Sequence, residues 1–296
     1  MKLRQFVAAL GLSVLAAFAQ AAPNTANVVF VVDTSGSMGG ELAFLTQIIS
    51  DLDTGLTNAG VGTTTYGVVS FGGSNFVSGV GSGTPIDQTS GLVGVGAAQA
   101  ALGGLNASGG FEDGYEAIQF ARDTYNLDGD AVNFILVTDE DRDVRSGDTA
   151  MSIQQELIAD GILLNAVVNA GLEDGMNNTA IGIDSGGDAY IADGMGGFNT
   201  SAGGAPTGAA DGSTIVDYID VALATGGAAW DLNQLRAGGL LAESFTQAFL
   251  DIKIQEIVNV PPPPPPPPSG VPEPGTLALL SLGLFGAGFA SRRRRV

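Results

Sequence analysis

The sequence predicts an α/β fold in which helices cover both faces of a doubly wound, mainly parallel sheet. Two continuous apolar runs of β-branched and aromatic residues, at 28–32 and 131–137, are typical of strands buried on both faces. A helical spacing of apolar residues follows the first run and recurs near the end of the body. Strands that alternate with helices favour a parallel sheet, and such sheets bind ligands at the carboxyl ends of their strands.

The remaining elements follow from the same patterns. Apolar residues spaced i, i+3, i+4 and i+7 predict helices over 42–56 and 241–252. Weaker patterns predict further helices and strands between them. These helices are expected at 97–105, 113–123, 151–159 and 215–224, and these strands at 66–71, 162–168 and 228–232. The stretch 173–212 is rich in Gly, Asn and Asp and has no clear element, so we expect a functional loop or a mobile insertion there.

The composition excludes several classes of chemistry. The chain has no cysteine and no histidine, and its only lysines are Lys2 and Lys253. It therefore has no disulfide framework, thiol nucleophile, Ser-His-Asp triad, His/Cys zinc site or P-loop lysine. Function must depend on carboxylates, hydroxyls, amides and the backbone.

The charge of the chain is strongly negative. Six of the 11 basic residues and one of the 31 acidic residues lie in the two end segments, so the body has 5 basic and 30 acidic residues, a net charge of −25. Such a surface repels nucleic acid and attracts cations. We therefore expect no nucleic-acid partner.

The first 21 residues are typical of a secretory signal peptide. Lys2 and Arg4 precede an apolar run over 6–18, and Ala19-Gln20-Ala21 forms a small-residue cleavage site. An N-terminal membrane anchor is the alternative, but the run is shorter than the roughly 20 residues that a span requires. We expect export, with cleavage after Ala21.

A proline run over 261–268 marks the end of the body. Such a run adopts extended polyproline II and acts as a semi-rigid spacer. We therefore predict one domain over 27–259 and a linker over 260–270.

The last segment, 271–296, contains three processing features in a fixed order. They are Val271-Pro272-Glu273-Pro274, an apolar stretch over 276–290, and four arginines at 292–295. This order resembles the PEP-CTERM sorting signal of Gram-negative bacteria, which implies recognition and cleavage by an exosortase. The apolar helix and the arginines imply a transient inner-membrane anchor with the body facing outward. A plain tail anchor is the alternative.

Two polar motifs follow the two apolar strand runs. Asp33-Thr34-Ser35-Gly36-Ser37 follows the first run, and Thr138-Asp139 follows the second. A turn at a strand end points the hydroxyls of Ser35 and Ser37 to one side, and Mg²⁺ prefers such oxygen ligands. In its strand-turn-helix context, the D-x-S-x-S pentad resembles the metal ion-dependent adhesion site (MIDAS) of von Willebrand factor A (VWA) domains, which have a Rossmann-like fold.

The resemblance implies one divalent cation, Mg²⁺ or Ca²⁺, as cofactor. Ser35 and Ser37 would bind it directly, while Asp33 and Asp139 would hold it through bound waters or orient its ligands. Two neutral hydroxyls leave the ion electron-poor, so it would seek a carboxylate from a protein or matrix partner.

The chain departs from the family pattern in a second loop, which usually supplies a threonine. The loop at 108–117 has no threonine, and Asp113 resembles the acid of a Gly-Gly-x-Asp-x-x-Glu-Ala variant found in bacterial members. Ser108 and Glu112 are alternatives, and Asp113 could instead cap the following helix. A carboxylate here would reduce the attraction of the ion for an outside acid and favour Ca²⁺.

These features predict an exported, non-enzymatic protein that binds its partner through a divalent cation, at the cell surface or in the extracellular matrix of a Gram-negative bacterium. One alternative is a structural matrix protein whose ion only stabilises the fold. Another is a Mg²⁺-dependent phosphohydrolase with Asp33 as nucleophile, although that class expects a second acid where Ser35 stands.

Overall fold

The computed structural model describes residues 22–74 and 82–259 of the 296-residue chain. The chain divides into two units, 1–260 and 261–296, and every element below belongs to the first. The predicted signal peptide at 1–21, linker at 260–270 and sorting segment at 271–296 lie outside the described residues.

The strands include the two apolar runs and the weaker strand patterns. They are β1 (Thr25–Asp33), β2 (Thr63–Gly73), β3 (Ile86–Asp87), β4 (Gly109–Phe111), β5 (Ala131–Thr138), β6 (Ile162–Val168), β7 (Ala170–Glu173), β8 (Thr179–Ala180), β9 (Gly182–Asp184), β10 (Asp188–Ala192), β11 (Phe198–Ala202), β12 (Ala205–Ala210) and β13 (Ala228–Asp231).

The predicted helices all form, and one short helix, α6, is added after the last strand. They are α1 (Leu42–Asn58), α2 (Val95–Gly103), α3 (Gly114–Thr124), α4 (Ala150–Ala159), α5 (Asp220–Ala224), α6 (Leu232–Arg236) and α7 (Gly239–Val258). A 3₁₀ turn at Gly36–Gly39 precedes α1, and a π-type turn at Ile215–Ile219 leads into α5.

The central sheet has the strand order β11-β10-β9-β13-β6-β5-β1-β2-β3, and β4 pairs with β2 outside this path. Its middle, from β13 through β6, β5 and β1 to β2, is parallel. Antiparallel strands extend both ends. The predicted doubly wound, mainly parallel sheet is therefore confirmed.

Alternate side chains of β1 enter two separate apolar cores, as expected for a strand with a residue period of two. Val28, Phe30 and Val32 pack with residues of α1, α2 and α7 on one face of the sheet. Val29 and Val31 pack with residues of α3, α4 and α5 on the other. Helices cover both faces, as the unbroken apolar run predicts.

The stretch 173–212 is ordered, which corrects the prediction that it has no clear element. It contains β8 to β12, and its β9 joins the central sheet beside β13. Asp174, Asp184 and Asp193 each accept backbone N–H groups from the residues two and four positions further on, at 2.7–3.0 Å. These side-chain bonds close tight turns between short strands. Gly, Asn and Asp, which are typical of loops, form the tight turns between the short strands of this stretch.

Among the helices that the structure describes, none combines the length and the apolarity required to cross a membrane. The apolar stretch at 276–290, for which we predict a membrane helix, lies outside the described residues.

Candidate metal centre

The ends of two neighbouring strands bring Asp33 and Asp139 together. Strands β1 and β5 are parallel, with Val32 opposite Val137, so the residues that follow meet at one edge of the sheet. Asp33 is the last residue of β1, and Asp139 follows the end of β5. Thr138 Oγ1 donates to Asp33 Oδ2 at 2.9 Å, which ties the two strand ends together.

The pentad turn places both serine hydroxyls beside these acids. The backbone N–H of Ser35 donates to Asp33 Oδ1 at 2.7 Å, which closes the turn. Ser35 Oγ lies 3.0 Å from Ser37 Oγ, and Ser37 Oγ donates to Asp139 Oδ1 at 2.9 Å. Asp33, Ser35, Ser37 and Asp139, four of the five residues predicted for the site, therefore form one connected cluster.

The third acid of the cluster is Glu112, which follows β4. Its backbone is held by Asp143: Glu112 N donates to Asp143 Oδ2 at 3.2 Å, and Asp143 N donates to Glu112 O at 2.9 Å. Glu112 is 2% exposed, and its Oε2 has no hydrogen-bond partner among the described residues. One oxygen each from Asp33, Glu112 and Asp139 lie within 4.8 Å of one another, a geometry that could hold a metal ion.

Asp113, the acid that the sequence resemblance favours, points elsewhere. It caps α3 by accepting from the N–H groups of Tyr115 and Glu116. It also accepts from Arg142 Nε at 2.6 Å, and Asp113 and Arg142 side chains are 1% and 4% exposed. The cap that we considered as an alternative is therefore present, and the carboxylate has no oxygen free for the cluster.

Ser108, the remaining alternative in the second loop, is also engaged outside the cluster. Its Oγ lies 2.8 Å from Ser74 Oγ, and its backbone N–H donates to Thr34 O at 2.7 Å. Of the second-loop residues that we considered, only Glu112 belongs to the carboxylate cluster.

A glycine at the end of β2 makes room for the cluster. Gly72 has a φ of +74°, and a Cβ added there would lie 2.4 Å from Asp33 Oδ1 and 3.2 Å from Glu112 Cγ. A side chain at this position would therefore displace the two carboxylates, besides requiring a backbone conformation that favours glycine.

Burial that hydrogen bonds only partly offset raises the pKa of two acids of the cluster, Asp33 and Glu112. Burial is the largest cause for Asp33, and hydrogen bonds from Ser35 and Thr138 offset it only in part, so its pKa rises to about 6. For Glu112, burial and then the charge of Asp33 raise the pKa to about 8. Each shift means that the ionised carboxylate is disfavoured in the folded protein. A cation among these oxygens would reverse that preference.

One basic residue, Arg236 at the end of α6, reaches the cluster. Its Nη2 donates to Asp139 Oδ2 at 2.7 Å, and its Nε binds Glu41, which is 7% exposed. Sequence reasoning missed both residues. The signal that could have found Arg236 is its place just after β13, because the carboxyl end of that parallel strand lies at the same edge of the sheet.

The donor set fits a divalent cation. The three cluster carboxylates and Glu41 share one guanidinium, that of Arg236, so this group has three excess negative charges when it is ionised. The atoms of the cluster that could bind a metal ion are carboxylate and hydroxyl oxygens, the ligands that Mg²⁺ and Ca²⁺ prefer. Gly36 and Ser37 are exposed, so the cluster opens to solvent on the side of the pentad turn.

Comparison with known families identifies the C-terminal segment. A model of the PEP-CTERM protein-sorting motif matches residues 270–295. No match was found among curated protein sequences.

Several solved structures are similar in part. Proximal thread matrix protein 1 from the mussel byssus is 17% identical over 50% of this chain and 36% of its own, with a TM-score of 0.36. A second structure of that protein has a zinc-occupied MIDAS motif; it is 16% identical over 50% of this chain and 36% of its own, with a TM-score of 0.37. This chain thus spans about a third of the length of the mussel protein.

Two bacterial structures are also similar. An aerotolerance-related membrane protein from Bacteroides fragilis is 15% identical over 78% of this chain and 98% of its own, with a TM-score of 0.45. A von Willebrand factor type A structure from Catenulispora acidiphila is 17% identical over 49% of this chain and 33% of its own, with a TM-score of 0.36. The chain carries a PEP-CTERM protein-sorting motif at 270–295, as Val271-Pro272-Glu273-Pro274 predicts. The body that precedes this motif in the sequence has the mainly parallel α/β sheet that the resemblance to VWA domains implies.

Proposed function

We propose that this chain is an exported protein whose body binds one divalent cation at the carboxyl edge of its sheet. The cation in turn binds a carboxylate of a protein or matrix partner. The observation that carries the proposal is the buried Oε2 of Glu112, which lacks a hydrogen-bond partner among the described residues and belongs to a cluster with Asp33 and Asp139. A buried acceptor without a partner is costly, and a bound cation would remove that cost.

The residues divide into two groups by their present contacts. Ser35, Ser37 and Glu112 would bind the ion directly. Asp33 has both oxygens hydrogen-bonded, to Ser35 N and Thr138 Oγ1, and would orient ligands or hold bound water. Asp139 would do the same, because it binds Ser37 Oγ and Arg236. We propose Mg²⁺ or Ca²⁺ as the ion, and the carboxylate of Glu112 favours Ca²⁺.

The partner would approach at the exposed turn of Gly36 and Ser37. The rest of the body is acidic, with 30 acidic and 5 basic residues, so an acidic partner would be repelled everywhere except at the ion. The partner would bind only where the cation attracts its carboxylate, so the interaction would depend on the cation.

A second candidate function, a structural matrix protein with a stabilising ion, is favoured by the charge count of the same cluster. A divalent ion would offset two of the three excess negative charges, so the site would remain negative and have little attraction for an outside carboxylate. In that case chelation would lower the stability of the fold, and no partner would be lost.

Hydrolysis through Asp33 is disfavoured by the position of its side chain. Asp33 has no exposed surface, and both of its oxygens accept hydrogen bonds. A nucleophilic carboxylate needs an oxygen within reach of the substrate. We therefore propose a binding role and not an enzymatic one.

Export rests on the sorting motif at 270–295. We propose that an exosortase removes the segment after a transient stay in the inner membrane, and that the body acts at the cell surface or in the extracellular matrix. The intact mass of protein recovered from the native cell surface tests this. A mass that includes Val296 would show that the segment is not removed, and would favour the alternative that it is a plain tail anchor.

The decisive experiment for binding is capture of the protein by extracted native surface material, with chelator and with added salt as separate treatments. Salt shortens the Debye length from about 10 Å at 0.1 M to about 3 Å at 1 M, so binding should persist or strengthen. Chelator should abolish it. Binding that salt weakens and chelator leaves intact would identify a polycationic partner and contradict the proposal.

A further inference from the structure

A polar cluster lies between the sheet and α7, near the amino end of β5 and away from the cation site at its carboxyl end. It consists of Lys253 on α7, Asn133 on β5, Asn165 on β6 and Glu256 on α7. Lys253 is completely buried, and it is the only lysine outside the first 21 residues. Asn133 and Asn165 are 1% and 0% exposed. Two asparagines and a lysine within an apolar core call for a chemical explanation, because such groups cost free energy unless they are fully satisfied.

The hydrogen bonds fix the orientation of Asn165. Its Oδ1 accepts from the backbone N–H of Ala228 at 3.2 Å and from Trp230 Nε1 at 3.4 Å. Both of those groups can only donate, so the other end of the amide must be the NH₂ group. That group donates to Asn133 Oδ1 at 3.3 Å and to Glu256 Oε2 at 3.1 Å.

The orientation of Asn133 follows. Its Oδ1 accepts from two donors, Asn165 Nδ2 at 3.3 Å and Lys253 Nζ at 3.1 Å. Its Nδ2 is buried and has no hydrogen-bond partner among the described residues. Two hydrogen bonds thus polarise the carboxamide of Asn133 at its oxygen, and one of them comes from the lysine nitrogen. The NH₂ group of the same carboxamide makes no hydrogen bond with the described residues.

We infer that Lys253 and Asn133 form an intramolecular amide cross-link, with Glu256 as the proton carrier and Asn165 as the donor that stabilises the developing oxyanion. Glu256 Oε2 is in direct contact with Lys253 Nζ. The required groups, an amine, a carboxamide, a carboxylate and an oxyanion donor, therefore all lie in one cluster, in which only the carboxylate is partly exposed.

The reaction balances without any further reactant. Glu256 takes a proton from the Lys253 ammonium, and the neutral Nζ attacks Cγ of Asn133 to form the new C–N bond. Asn165 Nδ2 stabilises the negative charge that develops on Oδ1. Glu256 returns that proton to Nδ2 as the Cγ–Nδ2 bond breaks, and the released ammonia takes the second proton from Nζ, which leaves the neutral amide. The products are the amide, an ammonium ion and the regenerated carboxylate.

Two physical features favour this outcome. Burial lowers the pKa of Lys253, against the opposing effect of Glu256, and so supplies the neutral amine that attack requires. The cross-link also replaces a buried ammonium by a neutral amide. The departing nitrogen, Asn133 Nδ2, makes no hydrogen bond with any described residue, so its loss breaks none there. An exported chain without cysteine would gain by this route the covalent closure that disulfides supply elsewhere.

The test is a tryptic peptide map of the full chain after denaturation, measured by mass spectrometry. Asn133 lies in the tryptic peptide 123–142, and cleavage after Lys253 requires a free Nζ. We expect peptide 123–142 joined to the peptide that contains Lys253, lighter than their sum by one ammonia, with no cleavage after Lys253. The joined chain should also migrate faster in a denaturing gel than Lys253→Met, because a loop between positions 120 residues apart stays closed.

Glu256→Gln removes the proton carrier and should leave both peptides linear. Asp251→Asn on the same helix is the matched control, because Asp251 bonds Gln247 outside the cluster, and it should leave the cross-link intact. Linear peptides from the unmodified chain would overturn the inference whatever the variants do. A join to the peptide that contains Asn165, or an intact cross-link in Glu256→Gln, would overturn the step as written.

Discussion

Glu112 and Asp113 are consecutive residues whose buried carboxylates have opposite hydrogen-bond environments. Asp113 accepts from the backbone of Tyr115, Glu116, Arg145 and Ser146 and from the side chain of Arg142. Those bonds and the Arg142 charge outweigh burial and lower its pKa. Glu112 has an oxygen without a partner among the described residues, and its pKa is raised to about 8. One acid therefore maintains the fold, and its neighbour is available to a cation.

Asp113→Asn and Glu112→Gln should separate these two roles. Asp113→Asn removes the counter-charge of the buried Arg142 and should lower the free energy of unfolding by about 3–5 kcal/mol. Glu112→Gln, measured with chelator present, should change it by less than about 1 kcal/mol, because the charged form of Glu112 is already disfavoured. Urea unfolding measures both values. Equal destabilisation by the two variants would contradict the division.

Replacement of both pentad serines by alanine should abolish binding of the cation. Ser37 Oγ donates to Asp139 and Ser35 Oγ lies beside Ser37 Oγ, and removal of both hydroxyls leaves Asp33 and its bond to Thr138 in place. We expect Mg²⁺ and Ca²⁺ binding to be lost in calorimetry while the unfolding midpoint without cation is retained. Ser108→Ala is the control, because its hydroxyl bonds Ser74 outside the cluster. Unchanged affinity in the double variant would contradict the assignment.

Cation affinity should rise with pH. Folding raises the pKa of Glu112 from 4.5 to about 8, so the fold favours the protonated acid. The stability that this shift contributes without cation is fully present below pH 4.5 and is lost as the pH rises through about 8. A cation competes with the same proton, so its affinity should increase by up to about tenfold per pH unit below that value.

Calorimetric titrations at about pH 6 and about pH 8 measure this dependence. Asp33, with a pKa raised to about 6, contributes in the same direction. In Glu112→Gln the pH dependence should shrink, because that proton is gone. An affinity that is constant or falls toward pH 8 in the unmodified protein would contradict the prediction.

Gly72→Ala should remove the cation site by displacement. A Cβ at Gly72 would meet Asp33 Oδ1 at 2.4 Å in a backbone conformation with a φ of +74°. Gly187→Ala is the matched control, since its φ is +85° and nothing lies within 4 Å of the added Cβ. Both variants should lose about 1–2 kcal/mol of stability through backbone strain, but only Gly72→Ala should lose cation binding in calorimetry. Retained binding in Gly72→Ala would show that the carboxylates can move aside.

Local patterns were sufficient to predict the parallel sheet and four members of the cluster. Strands β1 and β5 are apolar without interruption, and the acids and hydroxyls begin where those runs stop, so sheet geometry alone brings Asp33 and Asp139 together. The second loop was ambiguous by one residue. Counting from Gly109-Gly110 selects Glu112, whereas counting back from Glu116-Ala117 selects Asp113, and only the hydrogen bonds decide between them.

Other parts of the site and fold left no local signal. Glu41 and Arg236 are 195 residues apart, and no spacing rule relates them. The hairpins of 173–212 were missed because their short strands have weak patterns and their order depends on aspartate-capped turns. In such a sequence Gly, Asn and Asp are compatible with either a loop or a tight turn.

Helix α7 ends at Val258, and the proline run begins at 261, so tension on the C-terminal end of the chain would enter the body through this helix. The helix packs on the sheet through side chains such as Phe245 and Phe249, whereas β1 is hydrogen-bonded along its length to β5 and β2. Side-chain contacts that break one after another resist less force than a backbone ladder that must shear all at once. We therefore expect α7 to peel first when the chain is pulled. If Lys253 is joined to Asn133, the load would instead pass directly into β5 at the centre of the sheet.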